Sequence, residues 1–266
     1  CNRTDSSNLH NARTMWKDGS FAFVDDKFDS NNSGTEQNTL YFNYGNHDGL
    51  GNAQAKSAIR LGSVCSNTWD INSGNVGDRS VAIGFAYSGC AAEGPEASGL
   101  NAVAIGRSTI ASGQDSLALG VNAQATAEQS VAIGQSSFAT GRYSIVIGSS
   151  TSSSAEGSIS IGGYHDSSGI YSAAIGRGNT ASGDYSTALG KDTISSGDNS
   201  FVAGNGSIAS GDNSFAFGLG NSALSFGEVV FGLGSTPYTP VDANSFASAD
   251  RLFTIGSGDG VISSDA

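Results

Sequence analysis

Cut every fourteen residues from Ser116, the chain through Gly218 reads SLALGVNAQATAEQ, SVAIGQSSFATGRY, SIVIGSSTSSSAEG, SISIGGYHDSSGIY, SAAIGRGNTASGDY, STALGKDTISSGDN, SFVAGNGSIASGDN, SFAFG. The word Ser-x-Ala-x-Gly, with x mostly apolar, or a variant with Val or Ser in place of Ala, opens every line, and its glycine keeps a step of 14 from Gly106 to Gly232. Seven residues before the strong glycine stands a weaker word, Ala-Ser-Gly or a near variant, as at Ala111–Gly113 and Ala181–Gly183. A fixed internal period of this kind is the signature of a stacked repeat. Residues two apart on a strand share a face. Ser116, Ala118 and Gly120 therefore face one way and Leu117 and Leu119 the other, while Ala123, Ala125 and Ala127 oppose Gln124 and Thr126. Two short strands, each with a face of small side chains, pack those faces together into a flattened coil, its interior expected to admit little larger than Ala or Ser. Lys191-Asp192 and Asp198-Asn199 supply the turns. Stacked coils pair in parallel about 4.8 Å apart. The expected fold is all-β, a parallel β-roll of 14-residue coils.

The outward residues of the two half-coils differ. The weak half is mostly polar outside, with Ser112, Gln124, Thr126, Thr140, Ser152, Ser154, Ser182 and Ser196. The strong half is apolar outside: Val81 and Ile83, Val103 and Ile105, Leu117 and Leu119, Val131 and Ile133, Ile145 and Ile147, Ile159 and Ile161, then Ile175, Leu189, Phe201, Phe215, Phe217 and Phe231. In register these residues form an apolar stripe larger than monomers leave in water. Identical stripes on identical chains are satisfied most simply around a shared axis. The expectation is a homo-oligomer held by those residues; periodicity alone does not choose three copies over two.

The SVAIG word at Ser130–Gly134, its 14-residue period and its half-word seven residues away resemble the head repeats of trimeric autotransporter adhesins over roughly residues 80–232. That resemblance implies a homotrimer of left-handed parallel rolls. It further implies a rigid fibre segment on the bacterial exterior, anchored at the outer membrane, that attaches to a host or prey cell surface, a matrix or a glycan. Similar heads occur in phage fibres, so a structural spacer of a phage tail fibre or other trimeric fibre, with recognition elsewhere, is the alternative. The heptad stalk, neck segment and membrane-anchor strands of that family are not found here.

Thirty-eight glycines and 14% charged residues in 266 leave few long side chains to build a thick core. Twelve basic against 24 acidic side chains give a formal charge of −12, which repels phosphate backbones and anionic lipid heads. Nucleic acid is not an expected partner. No stretch nears the roughly 18 apolar residues that cross a bilayer as a helix, so direct membrane insertion is not expected of these residues.

Ahead of Gly106 the step lengthens, with Gly62, Gly84 and Gly106 each 22 apart, a coil plus an eight-residue loop. Three regions follow: an aromatic-rich N-terminal tip or cap over 1–56, a roll over 57–234 with two looped coils at its start, and a linker and strand over 235–266 that leads into an expected continuation. The loops carry Cys65 and Cys90, which pair if their segments stack and otherwise remain buried thiols. Cys1, ahead of a polar run, is either a lipidation site or simply the first residue given. Trp16, Tyr41 and Tyr44, with Trp69 in the first loop, either bury in a cap over the open end of the roll or contact a ligand.

Enzymatic motifs such as G-x-S-x-G, H-E-x-x-H and the P-loop are missing, so neither catalysis nor a cofactor or metal is expected. His165 interrupts a small-residue column and is expected at a local bulge. Asp184, Asp198 and Asp212 form a turn ladder that either stays solvated or gathers a cation.

Overall fold

In several words the opening serine closes a turn, its hydroxyl donating to the carbonyl three residues back, from Ser116 to Gly113 at 2.7 Å, Ser158 to Ala155 at 2.8 Å and Ser200 to Gly197 at 2.6 Å. That bond satisfies the hydroxyl inside the coil and fixes where the next strand begins. The buried hydroxyls of Ser144, Ser172 and Ser186 make no hydrogen bond. The computed structural model of the chain describes the backbone of residues 12–15, 21–25, 37–43, 58–64, 77–84, 95–235 and 238–258, with side chains from 77 onward. Among the described residues every regular element is a strand. Two compact units divide the chain, Cys1–Gln129 and Ser130–Ala266.

In the second unit the strong words are strands such as Ile159–Gly163, Ala173–Arg177, Thr187–Lys191 and Phe201–Asn205. Each pairs in parallel with the next at an offset of 14, so that Gly162 lies beside Gly176, and Gly190 beside Gly204. The weak words form two-residue strands, Thr180–Ala181, Ile194–Ser195 and Ile208–Ala209, stacked in the same way. This is the parallel β-solenoid expected from the period.

The interior is a file of small residues from both halves. Ala174, Ala181, Ala188, Ala209 and Ala216 are fully buried. Its bore is wider than expected, since Val146, Val202 and Val230 also sit inside at 0% exposure. Where alanine gives way to serine the hydroxyls satisfy one another, Ser153 donating to Ser160 at 3.0 Å and Ser160 to Ser167 at 2.8 Å.

His165 corrects the expectation of a bulge. Ser152 and Ser153 align with Asp166 and Ser167 without interruption, and the ring points inward at 3% exposure. Nε2 donates to the Gly176 carbonyl at 2.8 Å, and Nδ1 accepts the Asn179 amide at 3.1 Å. Asn179 repeats both bonds one coil on, through Nδ2 to Gly190 and through Oδ1 from the Thr193 amide; Asn221 does so again with Gly232 and Ser235. The histidine is one member of a polar column that ties each coil to the next, and its two ring nitrogens reproduce the reach of an asparagine amide.

The strong glycine has a positive φ, from 105° at Gly232 to 150° at Gly148. A Cβ there would overlap the glycine carbonyl of the neighbouring coil. Every copy of the word therefore keeps it.

In the first unit Ala58–Val64, Ser80–Ile83, Val103–Arg107 and Leu117–Val121 stack in parallel. Ile59, Val81 and Val103 fall in one column despite their spacing of 22, so each added loop leaves the rung in register. Ala58–Val64 also pairs antiparallel with Gln37–Asn43, which pairs with Phe21–Asp25, which pairs with Ala12–Met15. That meander occupies the edge the first parallel strand would otherwise expose.

Beyond Gly232 the chain makes a longer excursion and returns as Phe253–Ser257, parallel to Val229–Leu233 with Gly256 beside Gly232. One buried charge holds the excursion. Glu228, in the column otherwise occupied by the word's serine, is fully buried, and its Oε1 lies 3.3 Å from Arg251 Nε. Its Oε2 accepts from the Leu224 and Ser225 amides at 2.8 and 3.2 Å. Arg251 in turn lies 3.7 Å above the Tyr238 ring centroid. A buried carboxylate is tolerable when its charge is matched; here Arg251 supplies the opposite charge beside Oε1, which makes no hydrogen bond, while Oε2 takes the hydrogen bonds.

Candidate functional site

Strand pleat decides what faces outward from the strong half, and the structure stacks those residues into columns that are apolar over most of their length. In the second unit Ile133, Ile147, Ile161, Ile175 and Leu189 align rung over rung, with Val131, Ile145 and Ile159 in the parallel column beside them. Ile147, Ile161 and Leu189 remain 39%, 38% and 41% exposed. The first unit carries the same columns, Val81, Val103 and Leu117 beside Ile83, Ile105 and Leu119. All are half-buried except Ile105, which is exposed. The opposite face is mostly polar, with Thr140, Ser154, Ser168, Ser182 and Ser196 in water, and carries Ile194 at 39% exposure among them.

Toward the C-terminal end of the second unit the stripe becomes aromatic. Phe201 and Phe217 stack at 5.3 Å between centroids, and Phe217 and Phe231 at 5.0 Å with planes 9° apart. Phe215 joins at 6.3 Å from Phe201. The side chains at Ala173, Thr187 and Ala203 narrow the stripe between its aliphatic and aromatic parts. Sequence reasoning left out Phe253 and Ile255, which extend the columns beside Val229 and Phe231 and are 42% and 49% exposed. Their signal was the Phe-Thr-Ile-Gly run at 253–256, displaced from the period by the excursion before it.

Two turn edges flank the stripe. On the edge that leads into the apolar strands, Tyr143, Tyr171 and Tyr185 hold left-handed φ values of 60°, 54° and 58°. Tyr171 and Tyr185 stack at 5.8 Å and 13°, which offsets the strain of that conformation. The Tyr171 hydroxyl lies 3.4 Å from Glu156 Oε1, and the Glu156 charge pushes the phenol above its usual pKa. The Asp184 and Asp198 carboxylates accept the amides of Ile170 and Asp184, both at 2.9 Å, while Asp212 accepts that of Asp198. Amide donors thus engage the ladder in which a cation was one alternative. In the first unit Asn101 donates to Asp115 at 2.7 Å, the main reason its carboxyl is held below the usual range. On the edge that leaves the apolar strands stand Arg177 and Lys191.

Among the described residues no three His, Cys, Asp or Glu side chains gather as a metal site, and no helix is long and apolar enough to cross a membrane. Cys1, Trp16, Tyr44, Cys65, Trp69 and Cys90 lie outside the described residues. Tyr41 lies in the strand Gln37–Asn43, its backbone opposite Arg60; its side chain is outside the described part.

A family model described as the YadA head domain repeat, in two copies, matches residues 97–115, 111–137, 139–164, 167–193 and 195–221. No curated protein matches the chain.

Proposed function

Residues 97–221 belong to the YadA head repeat family, the repeat of trimeric autotransporter adhesin heads, and from that premise we propose that the chain works as a homotrimeric adhesin head displayed on a bacterial surface. The observation that carries the reading is the stripe. Ile147, Ile161, Ile175 and Leu189 on successive rungs, each more than a third exposed in the single chain, are covered when rolls associate along their length. Three rolls around one axis bury the stripe and leave the polar face and the turns outward. A rigid rod of this kind sets a binding surface away from the cell, attached through an outer-membrane anchor, and three copies of a weak site give the attachment its strength. Its partner is a surface ligand, a glycan or protein of a host or prey cell or matrix. The phage-fibre alternative draws no support from the family match.

The role is tested by presenting the trimer to immobilised matrix proteins, glycan arrays and whole cells, with and without residues 1–79. Binding by the intact chain that falls at least about tenfold on truncation, with the trimer preserved, supports adhesion through the N-terminal region. An intact trimer that binds none of these surfaces contradicts it and favours a spacer.

A further inference from the structure

The stripe explains why copies associate but not how they choose their orientation, and its two flanking edges differ in charge. Residues 130–266 contain four basic side chains. Arg251 is paired with Glu228, and Arg142 lies over Tyr143 at 4.6 Å on the entering edge. The other two, Arg177 and Lys191, stand on adjacent rungs of the leaving edge. Neither has a strong partner in its own chain. Lys191 Nζ is 3.5 Å from Asp192 with both side chains more than half exposed, and Arg177 is 5.9 Å from the Tyr164 centroid, near the outer limit of a cation–π contact. On the entering edge, the same rungs present the stacked Tyr171 and Tyr185 and the carboxylates of Asp184 and Asp198.

Parallel rolls turned about an axis along their length bring the entering edge of one copy to the leaving edge of the next. An antiparallel pair instead sets like edge against like edge. The strand Ala173–Arg177 starts just after Tyr171, and Thr187–Lys191 just after Tyr185. Rotation without axial slip therefore brings Arg177 to the level of Tyr171, and Lys191 to that of Asp184 and Tyr185, with Asp198 one rung on. Resting on the trimeric reading above, we infer that Arg177 and Lys191 of one copy dock on the tyrosine and carboxylate edge of the next, and that this contact fixes the parallel, in-register assembly. An aromatic face and a carboxylate together suit a guanidinium or an ammonium, and opposed charge of this kind selects partner and register more than it adds affinity.

The test is a double-mutant cycle on the full chain, read as the trimer dissociation constant in graded urea. Arg177→Glu with Lys191→Glu reverses one edge. Asp184→Asn with Asp198→Asn neutralises the other and keeps an oxygen for the backbone amides. The first pair is expected to raise the dissociation constant about tenfold or more, and combining both pairs is expected to recover at least about half of that loss on a logarithmic scale. A wild-type trimer in which the two pairs act additively overturns the edge contact alone. A wild-type chain that stays single at every concentration overturns the trimer and the contact together.

Discussion

Replacing Ile147 and Ile161 with aspartate is expected to leave a folded chain that no longer associates. Both residues point away from the coil interior, at 39% and 38% exposure, so the roll's own packing does not depend on them. In a trimer six carboxylates would converge on the axis. Desolvating an unmatched carboxylate costs several kcal/mol, and each lost isoleucine removes roughly 1.5–3 kcal/mol of apolar burial. Both terms oppose association. The particle mass should fall to that of one chain while the circular dichroism spectrum keeps its strand signal. Aspartate at Ser168 and Ser182, exposed on the opposite face, should change neither. A double aspartate variant that keeps the wild-type mass would place the association surface elsewhere.

The second large effect is expected inside the coil. Gly190 has φ of 121°, and a Cβ there would run into the Gly204 carbonyl oxygen of the next rung. Gly190→Ala combines a backbone conformation closed to side chains with an overlap against main chain, which cannot swing aside. Strain of about 1–3 kcal/mol and overpacking of similar size together amount to roughly 2–6 kcal/mol. The expected readouts are a lower melting temperature and faster amide exchange over the rungs at 187–205. Gly206→Ala is the matched control. Its φ of 62° lies in the left-handed region, nothing approaches within 4 Å, and the equivalent positions hold Asp192 and Ser150 at 51° and 53°, so the cost should stay near 1 kcal/mol. Equal destabilisation by the two alanines would remove the close approach of rungs as the reason for the repeated glycine.

How far the sequence could be read follows from what a repeat does to each residue. A 14-residue period turns every position into a column, and a column's polarity is legible without coordinates; the apolar columns through Ile147 and Ile161 were visible for that reason. His165 was misread because it was judged as one residue. Its column is polar from Ser137 through Thr151, Asn179, Thr193 and Ser207 to Asn221, with Ala123 the apolar member before them, and that was the available signal that its side chain faces a carbonyl and an amide of the next coil. The wider bore at Val146, Val202 and Val230 could have been seen in the same way, as valines in the column of the word's alanine. Glu228 replacing serine was also visible, but its partner Arg251 lies across the excursion, where no period links them. Phe253 and Ile255 escaped for the same reason, since an insertion breaks the count that gives a residue its column.

The mass of the purified chain in solution, by light scattering across a dilution series, tests the central claim most directly. Three chains of 26.7 kDa predict a particle of about 80 kDa. A well-folded particle of 26.7 kDa, its isoleucine columns open to water, would contradict it.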